Sequence, residues 1–201
     1  MKRHRLLAAA ALAAAFSTAA QADQEASNVA HVATDEYGRC LAHSIPDALY
    51  EPGGVTRIYA AGKELTLLHS YDWFAQTLYV ACAVSNGAGI IAEAVVQFGP
   101  WPRGNRPNDE TLAVAFHYNG EEVARFSTLD IAGRDPRNAS SSVSHYTVIE
   151  RVIGFSADRR QFSLETVDGR TLTFDVLTGE MTQAGAAPPQ TPFGACYRGA
   201  E

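Results

Sequence analysis

The sequence lacks the features that mark several large classes of protein. It has no glycine period and no heptad repeat, which excludes collagen and coiled coils. Its formal net charge is −6, whereas a general nucleic-acid binder needs a basic surface, so we predict no nucleic-acid partner. Beyond residue 22 no stretch is long and apolar enough to cross a bilayer, so we also predict no membrane span.

Motifs for catalysis and for cofactors are equally scarce. No G-x-S-x-G elbow, H-E-x-x-H, P-loop or calcium-binding loop occurs. Gly87-Ala88-Gly89 is half of a dinucleotide-binding fingerprint, and the third glycine is missing. Cys40 and His43 could supply half of a metal site, but no second cysteine–histidine pair completes it. The sequence therefore predicts no cofactor and no metal, and it identifies no catalytic residue.

The N-terminus has the pattern of a secretory signal. Lys2 and Arg5 precede an uninterrupted apolar stretch at 6–16, and Ala20-Gln21-Ala22 supplies the small residues that a signal peptidase recognises. The apolar stretch is shorter than the ~20 residues of a membrane-spanning helix. We therefore predict that residues 1–22 are a signal peptide and that the protein is periplasmic or secreted. The composition, rich in alanine and arginine, is typical of a bacterial chain.

Three cysteines remain after the signal peptide, and an oxidising compartment favours one disulfide among them. Cys82 alternates with Val80 and Val84, which predicts a small buried hydrophobic residue. Cys40 and Cys196 lie near the two ends of the mature chain, and the ends of a domain are often close in space. We therefore predict a Cys40–Cys196 disulfide, with the other two pairings left open.

The body of the chain is a series of short apolar or alternating runs separated by turn residues. Asn119-Gly120 and Asp168-Gly169 are strong hairpin signals, because a type I′ turn needs positive φ at both central residues. No stretch has a sustained helical period with caps. We expect about ten strands, near 37–43, 56–61, 65–71, 78–84, 90–98, 112–118, 122–127, 143–152, 161–167 and 171–177.

These strands predict an all-β fold with a single antiparallel domain at 37–182, arranged as a sandwich or a rolled sheet. A polar, flexible leader at 23–36 precedes the domain, and a Pro/Ala-rich tail in extended form follows it at 183–201. A partial propeller-like repeat is the alternative. It is suggested by three similar phrases of a glycine turn, two polar residues and an apolar residue, namely Gly62-Lys63-Glu64-Leu65, Gly120-Glu121-Glu122-Val123 and Gly169-Arg170-Thr171-Leu172.

Two regions stand out as candidate binding residues. In the loop at 99–110, Trp101 lies between two prolines, which makes it a stiff surface for stacking on a sugar or a partner's side chain. Arg103 and Arg106 add planar donors suited to carboxylates. Tyr71 and Trp73 fall on one face of a strand, as in a carbohydrate platform. The alternatives are that Trp101 caps the core edge and that Tyr71 and Trp73 are ordinary sheet packing.

A catalytic serine is disfavoured by the pattern around Ser144-His145. Neighbouring residues on a strand point to opposite faces, so His145 is not expected to activate Ser144. We therefore expect a non-catalytic exported domain that binds an envelope ligand, either an unknown protein or an acidic glycan, although the sequence leaves an enzyme open. The alternative is an envelope glycan hydrolase that uses two carboxylates, drawn from Asp72, Asp109, Glu110 and Glu150.

Overall fold

The computed structural model describes residues 26–85 and 89–184. Within these residues the protein is all-β, as predicted, apart from one helical turn, α1 (Thr128–Ile131). Three four-stranded antiparallel sheets follow one another along the chain, and a two-stranded hairpin precedes the third. The predicted signal peptide lies outside the described residues.

Each four-stranded sheet is a simple meander, in which every strand pairs with the next one in sequence. The first sheet consists of β1 (His31–Thr34), β2 (Cys40–Pro46), β3 (Gly54–Ala60) and β4 (Thr66–Tyr71). The second consists of β5 (Leu78–Ser85), β6 (Gly89–Phe98), β7 (Leu112–Tyr118) and β8 (Glu121–Ser127). The hairpin is β9 (Ser140–Ser141) with β10 (Tyr146–Thr147), and the third sheet consists of β11 (Ile149–Phe155), β12 (Gln161–Thr166), β13 (Thr171–Asp175) and β14 (Met181–Ala184).

The second sheet is the middle layer of the molecule. In β7 the five consecutive residues Ala113–His117 are all buried. In β12 and β13, by contrast, fully buried positions alternate with more exposed ones. A strand that is covered on one face alternates in this way, whereas a strand covered on both faces is buried at every position. The first and third sheets therefore cover opposite faces of the second.

The interface between the second and third sheets is an aromatic core. Phe116 of β7 packs against Phe162 of β12 and Phe174 of β13, with ring centroids 6.1 and 4.7 Å apart. All three side chains are fully buried. Removing one such ring costs about 3–5 kcal/mol in comparable cores, so this interface is a major source of the stability of the fold.

The interface between the first and second sheets contains the disulfide, and the predicted pairing is wrong. Cys40 of β2 is joined to Cys82 of β5, with Cα atoms 6.2 Å apart. Cys82 is buried beside Val80, as its pattern predicted, but the sheet that covers this face carries Cys40. A cysteine forms one disulfide, so Cys40 does not pair with Cys196, which lies outside the described residues.

Two predicted boundaries also need correction. The leader at 23–36 is not flexible throughout, because β1 lies within it and forms a ladder with β2. The ladder needs only backbone groups, so the weakly apolar β1 gave no sequence signal. At the other end, Met181–Ala184 forms β14, which extends the domain slightly beyond residue 182. The rest of the predicted tail, 185–201, lies outside the described residues.

The glycine phrases that suggested a repeat do not occupy equivalent places. Gly62 and Gly120 lie in the turns between the third and fourth strands of their sheets, whereas Gly169 lies between the second and third strands of its sheet. Their similarity is therefore that of short hairpin turns in general. The predicted strand at 143–152 is not continuous, because bends at 143–144 and at 148 interrupt it on either side of His145.

Candidate functional site

The loop at 99–110 is held in place by backbone hydrogen bonds at its first half. Gly99 N donates to Ala113 O at 3.0 Å, and Tyr146 N donates to Pro102 O at 3.2 Å. Gly104 N donates to Ser144 O at 2.7 Å. These bonds tie the loop to the middle sheet on one side and to the β9–β10 region on the other, so Trp101 is presented on a fixed backbone.

The second half of the loop is organised by Asn108. Its side-chain oxygen accepts hydrogen bonds from the backbone N–H groups of Glu110 and Thr111, at 2.9 and 2.7 Å. Its backbone oxygen accepts from Leu129 N and from the Thr128 hydroxyl, both at the start of α1. These bonds fix the second half of a long irregular loop. Asparagine side chains commonly bond to backbone groups two or three residues away, so Asn108 was the sequence signal available for this part of the loop.

Trp101 forms a ridge between cavities. We call Pro100–Arg103 the Trp101 ridge. The indole stacks on the buried His145 ring, with centroids 4.6 Å apart and an angle of 33° between the planes. Trp101 itself is half-buried and borders three cavities, of about 290, 490 and 220 Å³. Concave sites with a few polar groups are where proteins usually bind ligands, so the ridge is the candidate functional site.

Two of these cavities lie on either side of the ridge. We call the cavity of about 290 Å³ the smaller groove and the cavity of about 490 Å³ the larger groove. The smaller groove is closed by loops of the first sheet, including Tyr50 and Phe74, and Arg103 contributes its exposed side chain. The larger groove has Tyr79 and Phe98 among its lining residues, and the segment 147–152 forms its other wall. Arg106 is exposed on the bend that follows the ridge.

Tyr71 and Trp73 lie elsewhere. They stack on each other with centroids 5.2 Å apart, but only Tyr71 lies on a strand, β4, and Trp73 lies in the irregular segment that follows it. Tyr71 is buried between the first and second sheets, and Trp73 packs against the same cluster. Neither residue lines the three cavities that border Trp101. The structure therefore does not bring the two predicted binding regions together, and Phe74, which the sequence did not single out, contacts the smaller groove instead.

Tyr71 and Trp73 belong to a buried polar cluster. Both rings pack against His117 of β7, with centroids 4.9 and 5.1 Å away. The His117 Nε2 atom lies 3.1 Å from the side-chain oxygen of Gln97, which makes this nitrogen the donor. Burial lowers the pKa of His117 to about 4, so the ring is neutral at pH 7.

A buried carboxylate completes this cluster. Glu93 of β6 is almost fully buried, and its Oε1 atom lies 3.1 Å from His69 Nε2. Burial raises the pKa of Glu93, while the nearby His69 acts in the opposite direction. Burial, together with the Glu93 charge, also raises the pKa of the Tyr71 hydroxyl. These groups lie at the interface between the first and second sheets, so we assign them a structural role. No sequence pattern indicated that they would meet.

Ser144 and His145 are hydrogen-bonded, contrary to expectation. The Ser144 hydroxyl lies 3.0 Å from His145 Nδ1. The prediction of opposite faces assumed an extended strand, whereas Val143 and Ser144 lie in a bend, where alternation does not hold. The pair adjoins the Trp101 ridge through the ring stack on His145.

Apart from the neighbours Asp109 and Glu110, the carboxylates considered for glycan hydrolysis lie on different elements. Asp109 forms an ion pair with Arg134, which follows α1. Asp72 is exposed in the loop after β4, and Glu110 is exposed at the end of the 99–110 loop. Glu150 is exposed on the wall of the larger groove. Within the described part of the chain, no hydrogen bond joins any two of them.

Comparison with family models, with curated proteins and with solved structures gave no match. Among residues 26–85 and 89–184, no helix has the length and apolar character to traverse a bilayer. Within the same ranges, no cluster of three or more His, Cys, Asp or Glu side chains has a geometry suited to a metal ion.

Proposed function

We propose that this protein is an exported, non-catalytic binding domain that recognises an acidic glycan of the bacterial envelope at the Trp101 ridge. The observation that carries the proposal is the position of Trp101, a half-buried indole on a fixed backbone with a groove on either side. Aromatic rings of this kind bind the apolar faces of sugars and lose little conformational entropy on binding.

Two charged residues line the smaller groove, Arg103 and Glu51, and Arg103, which belongs to the ridge itself, supports an acidic ligand. Arg103 lines the smaller groove beside the indole, and its guanidinium presents planar donors that match a carboxylate. The chain as a whole is acidic, with a formal net charge of −6, so Arg103 is the group at the ridge that attracts an anionic partner. An acidic surface on another protein is the alternative ligand.

Export rests on two independent features. Residues 1–22 have the pattern of a signal peptide that is cleaved before Asp23. The Cys40–Cys82 disulfide is typical of proteins that fold in an oxidising compartment. Together they favour a periplasmic or secreted protein.

The test is retention of the mature chain on an insoluble acidic glycan. Purified peptidoglycan sacculi and cross-linked polygalacturonate are the probes, and an uncharged glucan is the control matrix. We expect retention on the acidic matrices that weakens with added salt, and loss of retention for Trp101→Ala and Arg103→Gln. Arg137→Gln is the matched control, because Arg137 is an exposed arginine that is paired with Asp135 and lines none of the three cavities that border Trp101.

Three outcomes would overturn this proposal. Equal retention of the Trp101→Ala protein would remove the ridge from recognition. Failure of the wild-type protein to bind any acidic matrix would remove the ligand class. Release of reducing ends from the glycan by the wild-type protein, abolished by Glu150→Gln, would make the protein the alternative hydrolase.

A further inference from the structure

The smaller groove has two walls that carry opposite charges. Glu51 lies beside Tyr50 in the loop between β2 and β3, which forms one wall. Arg103 belongs to the Trp101 ridge, which forms the other wall. No other charged residue of the described chain lines this groove. A groove of this kind is complementary to a ligand that carries a cation and an anion on the same unit.

The wall that carries Glu51 is held in place by the buried Asn28. Asn28 N donates to Leu49 O at 2.6 Å. Its side-chain nitrogen donates to the backbone oxygens of Ala48 and Glu51, at 3.1 and 3.0 Å. Its side-chain oxygen accepts from Gln76 Nε2 at 2.8 Å, and Gln76 also lines the groove. The backbone of Glu51 is therefore fixed before a ligand arrives, so little backbone entropy is lost on binding.

The aromatic rings on the same wall suit a positively charged group. Phe74 lines the groove and packs edge-on against His31, with centroids 6.0 Å apart and an angle of 81° between the planes. Tyr50 precedes Glu51 in the chain and also lines the groove. A cation is attracted both to a carboxylate and to the face of an aromatic ring. This wall therefore favours an ammonium group, whereas the Arg103 guanidinium on the opposite wall favours a carboxylate.

The size of the groove restricts the ligand to a small unit. Its volume of about 290 Å³ lies at the lower end of the range of ligand pockets, roughly 300–1,000 Å³. We propose that the smaller groove binds a zwitterionic amino-acid unit attached to the acidic glycan, with its ammonium group at Glu51 and its carboxylate at Arg103. This inference rests on the proposed function of the Trp101 ridge and specifies the part of the ligand that the groove recognises.

Peptidoglycan sacculi provide the test, because their peptide branches end in units that carry an ammonium group and a carboxylate. Acetic anhydride converts these ammonium groups into neutral amides and leaves the carboxylates unchanged. We expect the mature chain to bind acetylated sacculi about fivefold more weakly than untreated sacculi, which is the upper end of the effect of one exposed ion pair. Polygalacturonate has carboxylates and no ammonium group, so it should bind like the acetylated sacculi.

Two carboxylate variants assign this preference to the groove. Glu51→Gln should bind untreated and acetylated sacculi equally, because it lacks the charge that recognises the ammonium group. Glu64→Gln is the matched control and should keep the fivefold preference. Glu64 is exposed in the turn between β3 and β4 and lines none of the three cavities that border Trp101. The ratio of the two affinities reports recognition of the ammonium group, which a general loss of folded protein does not change.

Two results would overturn this inference. One is equal binding of the wild-type protein to untreated and acetylated sacculi. The other is a fivefold preference that persists in Glu51→Gln. In either case, retention that is lost in Trp101→Ala would leave the proposed function of the ridge intact, so failure of this inference is distinguishable from failure of the proposed function.

Discussion

Two tryptophan–histidine stacks occur in this protein, and they have almost the same geometry. Trp73 on His117 and Trp101 on His145 have centroid distances of 5.1 and 4.6 Å and interplanar angles of 32° and 33°. Both histidines are buried, and both tryptophans are half-buried. The same pair of residue types thus makes the same local contact in two places.

The surroundings of the two stacks differ. Trp73 packs against the cluster between the first and second sheets, next to Tyr71 and close to the disulfide. Trp101 borders grooves on both sides and is fixed by its own backbone. Contact with another ring therefore does not distinguish a packing residue from a binding residue, whereas the presence of adjacent open volume does. We expect substitution at Trp73 to cost stability and substitution at Trp101 to cost binding.

The largest expected effect is that of Trp73→Ala. The change removes the indole from the sheet interface and leaves His117 and Tyr71 without a packing partner on one side. We expect a loss of about 3 kcal/mol in the free energy of unfolding, at the lower end of the range for aromatic truncations because Trp73 is only half-buried. Urea denaturation followed by far-UV circular dichroism measures it. A loss below about 1 kcal/mol would show that the first sheet does not depend on this stack.

The next largest expected effect is a dependence of stability on pH, which arises from the buried cluster around Trp73. The pKa of His117 is lowered from its ordinary value of 6.5 to about 4 by burial. Between pH 6.5 and pH 4, His117 binds a proton in the unfolded chain but not in the folded protein. The stability of the fold therefore decreases as the pH falls through this range. One group with this shift lowers the free energy of unfolding by about 2–3 kcal/mol between pH 7 and pH 4.5. Denaturation midpoints from pH 7 to 4.5 should show this decline.

Two variants separate the groups behind this pH dependence. His117→Gln keeps a donor for Gln97 and should flatten the acid decline. Glu93 acts in the opposite sense: its pKa is raised by burial, so the folded protein gains stability as Glu93 takes up a proton in acid. Glu93→Gln should therefore make the decline steeper. Glu122 and Arg125 also face His117 with opposing effects, and an unchanged profile in His117→Gln would assign the decline to other groups.

Most of the fold was accessible from the sequence, because hairpin turns and alternation are local signals. The second-sheet strands β5–β8 fall close to their predicted ranges, each bounded by a turn residue or a loop. β1 was missed because the polarity of His31-Val32-Ala33-Thr34 does not alternate clearly in the sequence, and because this strand is held in place by its pairing with β2. The Cys40–Cys82 disulfide was missed because the stacking of two sheets is a non-local property.

The candidate site was accessible only in part, for the same reason. Trp101 and Arg103 were found through loop composition, which is local. Tyr71 and Trp73 were chosen for the same aromatic character, but their burial depends on the sheet that covers them. The contact between Ser144 and His145 depends on a bend that interrupts the expected strand. Sequence patterns thus located the aromatic residues, and only the packing of the sheets separated those that line cavities from those that fill an interface.

The claim that Trp101 serves binding and not folding is tested most directly by measuring both properties on one protein, Trp101→Ala. The account predicts loss of retention on peptidoglycan sacculi together with a fall of less than about 1–2 kcal/mol in the free energy of unfolding, below the range of a lost core aromatic. A fall of about 3–5 kcal/mol, or retention equal to that of the wild-type protein, would contradict it and make Trp101 a packing residue like Trp73.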